Sequence, residues 1–120
     1  SMENIKVYKN INNGSVVLLM NNITSNDFIE IKANTTDAAV EKHVPVYEKN
    51  GDNIVVSIGE TLHPMEENHY IEWIAYVYGS RIEIVNLKPG EEPKATFKFV
   101  SGATIFAYCN IHGLWKSTIL

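Results

Sequence analysis

At 120 residues, 45% hydrophobic and 20% charged, the chain has the composition of one ordinary globular domain with enough apolar residues for a core. A formal net charge of -4 without a basic stripe argues against a nucleic-acid surface, and no run approaches the ~20 apolar residues of a membrane span. The single cysteine, Cys109, excludes an internal disulfide; with no signal peptide at the start, a reducing cytoplasm is expected.

Residues 1–34 carry asparagine-rich stretches, "NINNG" (10–14) and "NNITSN" (21–26), around the apolar run "SVVLLM" (15–20). Their weak alternation predicts a small, loosely packed β-hairpin segment rather than a second core. "TTDAAVEK" (35–42) hints at a helical turn, with Thr35 or Thr36 as its cap. Asn50-Gly51 suits a tight hairpin, since both residues tolerate positive φ, and leads into the strand "NIVVSI" (53–58). "YIEWIAYVY" (70–78) and "RIEIVNL" (81–87) read as strands closed by Gly79-Ser80, and "KPGEEP" (88–93) as a longer charged connection. In "ATFKFV" (95–100), Ala95, Phe97 and Phe99 point one way and Thr96, Lys98 and Val100 the other, as in a sheet with one wet face. "ATIFAYC" (103–109) is the last run of this kind. The expected fold class is all-β: an immunoglobulin-like antiparallel β-sandwich with a small N-terminal β-hairpin segment.

The four histidines are placed informatively. His43 and His63 are each followed closely by proline (Pro45, Pro64), His69 opens the longest strand, and His112 follows Cys109 by three residues where a strand runs out. Each therefore falls at a strand end or loop, where side chains from separate strands can converge. Imidazoles with one thiolate form a ligand set for Zn, Cu, Fe or Ni. Each fragment also has a plain reading: a satisfied core histidine, a buried cysteine, a polar loop. Glu41 and Lys42, taken alone, are a solvated pair worth ~0–1 kcal/mol. Tyr70, Trp73 and Trp115 read as core and shell packing, without a catalytic role.

Taken together, "EKHVPV" (41–46), "HPMEENHYIEWI" (63–74) and "CNIHGLW" (109–115), in that order, resemble the iron-binding domain of superoxide reductase, the desulfoferrodoxin/neelaredoxin family. The resemblance covers roughly residues 34–120, beginning at "NTTDAAVEKHVPV". It implies one iron per chain held by His43, His63, His69 and His112 in a plane, with Cys109 axial, and one-electron reduction of superoxide to hydrogen peroxide. It also implies that Glu41 ligates the oxidised iron after turnover and that Lys42 attracts superoxide and supports protonation of the product. A rubredoxin-like electron donor and a homo-oligomer, dimer or tetramer, are the partners it suggests. Residues 1–34 look like the small desulforedoxin-type domain that precedes the sandwich in this family. Asn10 and Asn13 stand where its first two cysteines are expected, and residues 21–34 hold none, so its own metal site should be lost.

Three rivals follow from the same residues. A cupredoxin-like electron carrier usually needs a methionine after its C-terminal histidine, which "HGLWKSTIL" (112–120) lacks, and it leaves two histidines unused. A structural zinc site usually takes four ligands, and five are on offer. An immunoglobulin-like binding module would carry its histidines incidentally.

Overall fold

The asparagines near the N-terminus turn the chain by hydrogen-bonding to it. Asn10 Oδ1 accepts from the amides of Asn12 (2.8 Å) and Asn13 (3.1 Å), and Asn13 Oδ1 accepts from that of Ser15 (2.9 Å). These Asx turns, with Gly14 at φ 76°, reverse the chain between β1 (Lys6–Asn10) and β2 (Val16–Leu19). The computed structural model describes residues 5–120, and there the expected hairpin gains a third strand, β3 (Phe28–Ile31), in the order β2-β1-β3. The segment is not loosely packed, because Val7 and Tyr8 are buried.

A single turn of helix, α1 (Val40–His43), follows, and the sandwich begins directly behind it. The turn lies at the end of the stretch expected to be helical. Neither Thr35 nor Thr36 caps it; Ala39 is its N-cap and offers no side-chain bond. Strands β4 (Pro45–Asn50), β5 (Asn53–Ile58) and β8 (Lys94–Lys98) form one sheet, ordered β4-β5-β8. The β4–β5 hairpin pairs Asn50 with Asn53, so Gly51 (φ 64°) and Asp52 fill the turn, one residue beyond the expected pair. Strands β6 (Ile71–Tyr78), β7 (Arg81–Asn86), β9 (Thr104–Cys109) and β10 (Gly113–Thr118) form the other, ordered β10-β9-β6-β7. Gly79-Ser80 closes β6 onto β7 as expected, and β10 is a strand the sequence patterns left unread. Because β7 stays paired with β6, the 3 + 4 division differs from the constant immunoglobulin pattern, in which the fourth strand joins the other sheet.

The four-stranded sheet is covered on both faces. Ile74 and Tyr76 of β6 and Ile105 and Ala107 of β9 meet Ile54, Val56 and Phe97 of the opposing sheet. On the other face, Trp73, Ala75, Val77, Phe106 and Tyr108 pack with Leu114 of β10 against Val7 of the N-terminal sheet. Double coverage explains why β9 is buried at every position and why both central strands are almost continuously apolar. The link between layers is clipped to β10. Asn34, with φ 62°, accepts the Lys116 amide on Oδ1 (2.8 Å) and donates from Nδ2 to the Lys116 carbonyl (3.2 Å).

Candidate metal centre

Three connections at one end of the sandwich deliver five donor side chains. His43 ends α1, and the bond from the Val44 amide to the Val40 carbonyl (3.0 Å) closes that turn before Pro45 opens β4. His63 is placed by its own amide, which donates to the Ile58 carbonyl (2.8 Å) at the end of β5. His69 closes a tight loop in which Glu66 and His69 exchange two backbone bonds (2.9 and 3.0 Å). Cys109 is the last residue of β9, opposite Ile71, where a bulge at Glu72 shifts the β6–β9 register. His112 sits in the turn into β10, and its amide donates to Cys109 Sγ (3.3 Å). Asn110 staples these connections together: its Oδ1 accepts from the Tyr70 amide (2.9 Å) and its Nδ2 donates to the Asn68 carbonyl (3.1 Å).

The four imidazoles form a ring of near-perpendicular neighbours. His43–His63, His63–His69, His69–His112 and His112–His43 meet at 72°, 82°, 76° and 88°, with centroids 4.6–5.1 Å apart. One donor atom from each histidine and the Cys109 sulfur all lie within 4.8 Å of one another. His43 and His63 donate from Nδ1 to the carbonyls of Ala39 and Pro64, at 2.7 Å each. Both Nε2 atoms then carry lone pairs when the rings are neutral, yet they face each other at 3.2 Å. Two acceptors at that distance are not hydrogen-bonded; they need a cation between them. His43 Nε2 also lies 3.2 Å from His112 Nδ1, and a square of that edge has its centre about 2.3 Å from each corner, close to metal–imidazole bonds of about 2.0–2.1 Å. His69 Nε2 is buried without a hydrogen-bond partner, which marks it as the fourth donor. The residues fit a single metal ion.

Electrostatics agree with that fit. Burial is the main cause holding the pKa values of His43, His63 and His69 below the ordinary imidazole value, and that of His63 falls to about 4. The backbone acceptors of His43 and His63 oppose the shift, and neighbouring imidazoles reinforce it. The rings therefore stand neutral near pH 7 with lone pairs free for a metal. Burial pushes the Cys109 thiol up, and the amides of His112 and Ile111 pull it back. A divalent cation reverses that balance and deprotonates a coordinating thiol.

Glu41 and Lys42 are exposed on α1, immediately before His43. Lys42 stands near enough for its charge to lower the pKa of His43 and His69, whereas the Glu41 side chain is placed only by its position on that turn. Tyr70 and Trp73 take no part in the cluster; Trp73 stacks on Tyr108 beneath the N-terminal sheet. Trp115 does more than fill space. It stacks on the His43 ring (4.8 Å, 27°) and donates from Nε1 to the His112 carbonyl (3.1 Å), bracing two donors at once. The sequence marked neither this brace nor the Asn110 staple, since both depend on contacts across strands. All four histidines converge, which removes the cupredoxin-like reading that left two unused.

A five-residue histidine and cysteine cluster at one end of an antiparallel β-sandwich defines the class: a β-sandwich with a site able to hold one metal ion. The family model described as Desulfoferrodoxin matches residues 35–118. A desulfoferrodoxin from Clostridium acetobutylicum is 47% identical over 121 residues, covering 96% of this chain and 97% of that protein. Among solved structures, the superoxide reductase from Treponema pallidum superposes with TM-score 0.75 at 27% identity, covering 92% of this chain and 98% of its own. That coverage exceeds residues 35–120 and so extends into the N-terminal sheet. A superoxide reductase from Giardia intestinalis matches 66% of this chain and 97% of its own, with TM-score 0.57 and 32% identity. The chain belongs to the desulfoferrodoxin family, mononuclear iron-binding oxidoreductases that include the superoxide reductases.

Proposed function

We propose that this chain reduces superoxide by one electron to hydrogen peroxide at a single iron held by His43, His63, His69, His112 and Cys109. The observation that carries this reading is the perpendicular ring of four imidazoles, one with an orphaned Nε2, beside a buried sulfur. Ferrous iron supplies the electron when bound; two protons enter and hydrogen peroxide leaves. The four imidazoles and the Cys109 thiolate would hold that iron and leave it able to bind the anion.

The chain's own groups arrange the rest. Four neutral imidazoles and one thiolate give a divalent iron a formal charge of +1, so the site attracts an anion although the protein carries -4. Lys42 adds a second positive charge beside the histidines and donor protons for the product. Glu41, one residue earlier, would offer its carboxylate to the oxidised iron. The Cys109 thiolate, kept from water by burial and held by two amides, would donate electron density to the iron.

Further features complete the reading. Residues 1–34 form a metal-free remnant of a desulforedoxin-like domain, and 35–120 the iron domain. Re-reduction comes from a small one-electron carrier of the rubredoxin type, and the protein works as a homo-oligomer in the cytoplasm.

The test is stoichiometric. Reduced protein mixed with superoxide should form one hydrogen peroxide per superoxide consumed, without molecular oxygen. Half that peroxide, with oxygen released, would identify a dismutase and reject the reading.

A further inference from the structure

Gly59, the residue after β5, is buried against the main chain of α1. A Cβ on it would stand 2.5 Å from the Glu41 carbonyl oxygen, 2.6 Å from the Lys42 carbonyl carbon and 2.8 Å from Lys42 Cα. All three are backbone atoms, so no rotamer change relieves the overlap. Restoring ordinary contact near 3.5 Å requires a shift of about 1 Å. The φ of Gly59 lies outside the left-handed region, so the missing side chain serves this close approach and not a special backbone conformation.

The contact is reinforced two residues on, where the Thr61 amide donates to the Glu41 carbonyl (2.9 Å). The same turn is closed by the His63 amide on the Ile58 carbonyl (2.8 Å). Residues 58–63 thus hold a metal donor at one end and seat the Glu41–Lys42 backbone in their middle. His43 is fixed separately, by Trp115 stacked on its ring and by Ala39 on its Nδ1.

We infer that Gly59 is a positioning residue: it seats Glu41 and Lys42 against the 58–63 turn and so sets where their charges stand relative to the histidine ring. The inference rests on the roles proposed above for Glu41 and Lys42. It predicts a selective defect. An added methyl displaces the two charged residues while Trp115 and Ala39 hold His43 in place.

A double-mutant cycle read by pulse radiolysis, with amide exchange on the iron-loaded protein, tests it. Gly59→Ala should keep its iron and its thiolate-derived visible band, yet capture superoxide about three- to tenfold more slowly, with a flatter dependence on ionic strength. In a Lys42→Ala background the same change should cost less than about twofold, because the charge it misplaces is already gone. Exchange of the Thr61 amide should accelerate, since its acceptor has moved. Wild-type rates in Gly59→Ala, equal slowing in both backgrounds, or unchanged Thr61 exchange would each overturn the inference. Should Gly59→Ala not fold, Thr61→Pro removes the same tether at an exposed position without adding a Cβ against α1; it should show the same background-dependent slowing, and a wild-type rate would overturn the inference equally. If Lys42→Ala alone captures superoxide at the wild-type rate, the role of Lys42 fails. Thr61 exchange in Gly59→Ala, or the oxidised-state spectrum of Thr61→Pro read against that of Glu41→Ala, then decides for or against Gly59.

Discussion

The N-terminal sheet and the open end of the sandwich solve the same problem with different residues. Both must fix loops that carry the chain between strands. In the N-terminal sheet, Asn10 and Asn13 hold the turn by hydrogen bonds to backbone amides, and nothing further is needed. At the sandwich end, backbone bonds place His43 and His63 but leave their Nε2 lone pairs facing each other and that of His69 without a partner. One set of loops is self-satisfied, whereas the other is complete only with a cation. Local polar satisfaction, more than fold, separates the loops that leave ring nitrogens without a partner from those that do not.

The strongest way to break this comparison is to remove the sulfur. Cys109→Ser preserves volume at a fully buried position but offers a harder, far less acidic donor. It is expected to keep the fold, lose the thiolate-to-iron absorption and lose more than about hundredfold in superoxide reduction. Survival of both band and rate would make Cys109 a buried hydrophobe and nothing more.

Acid should sharpen the contrast next. In chelator-stripped protein, His63 titrates near pH 4 when folded and near its ordinary 6.5 when unfolded. Between those values the unfolded chain binds the additional proton. The stability contributed by neutral His63 is therefore complete above 6.5 and declines as pH falls towards 4. His43 and His69 shift in the same direction. The loss should reach about 3 kcal/mol, measured by denaturant melts across pH, and iron should suppress much of it. A flat pH profile in the stripped protein would argue that the imidazoles are not buried together.

Lys42→Ala touches the site without touching a donor. A positive charge about 6 Å from superoxide, at an effective dielectric of about 20 and reduced by solvent and salt, contributes about 1–1.5 kcal/mol. Capture should slow about tenfold at low ionic strength, with a flatter salt dependence, and Lys42→Arg should slow it much less. Pulse radiolysis over a salt series reads both. Equal rates and slopes would return "EKHVPV" to an ordinary charged loop.

The smallest effect is expected on the other side of the comparison. Asn10→Ala removes an exposed acceptor of two amides and should cost about 0.5–1 kcal/mol, seen as faster amide exchange between β1 and β2. Its visible spectrum and iron content should match wild type. A spectral change would mean that the N-terminal sheet reports to the metal.

What the sequence made legible follows the range of the interactions. Alternation in "ATFKFV" and the Gly79-Ser80 hairpin are local, and both appear in the structure, as Phe97 facing the core and the Tyr78–Arg81 pairing. The convergence of His43, His63, His69, Cys109 and His112 was legible because each histidine sits at a connection and the motifs recur in family order; the structure brings all five side chains together. The docking of the N-terminal sheet was not, because Val7 meets Trp73 and Phe106, which lie far along the chain from it. A signal was nevertheless present: near-continuous apolar runs in β6 and β9 call for cover on both faces. The close approach of Gly59 to α1 left no local pattern at all, since a glycine after a strand reads first as a turn.

Metal analysis of purified wild-type protein, taken with its visible spectrum, tests the central claim most directly. The account predicts one iron per chain, with a thiolate-derived band in the oxidised protein that disappears in Cys109→Ser. Stoichiometric zinc without that band, or close to two irons per chain after reconstitution, would contradict it.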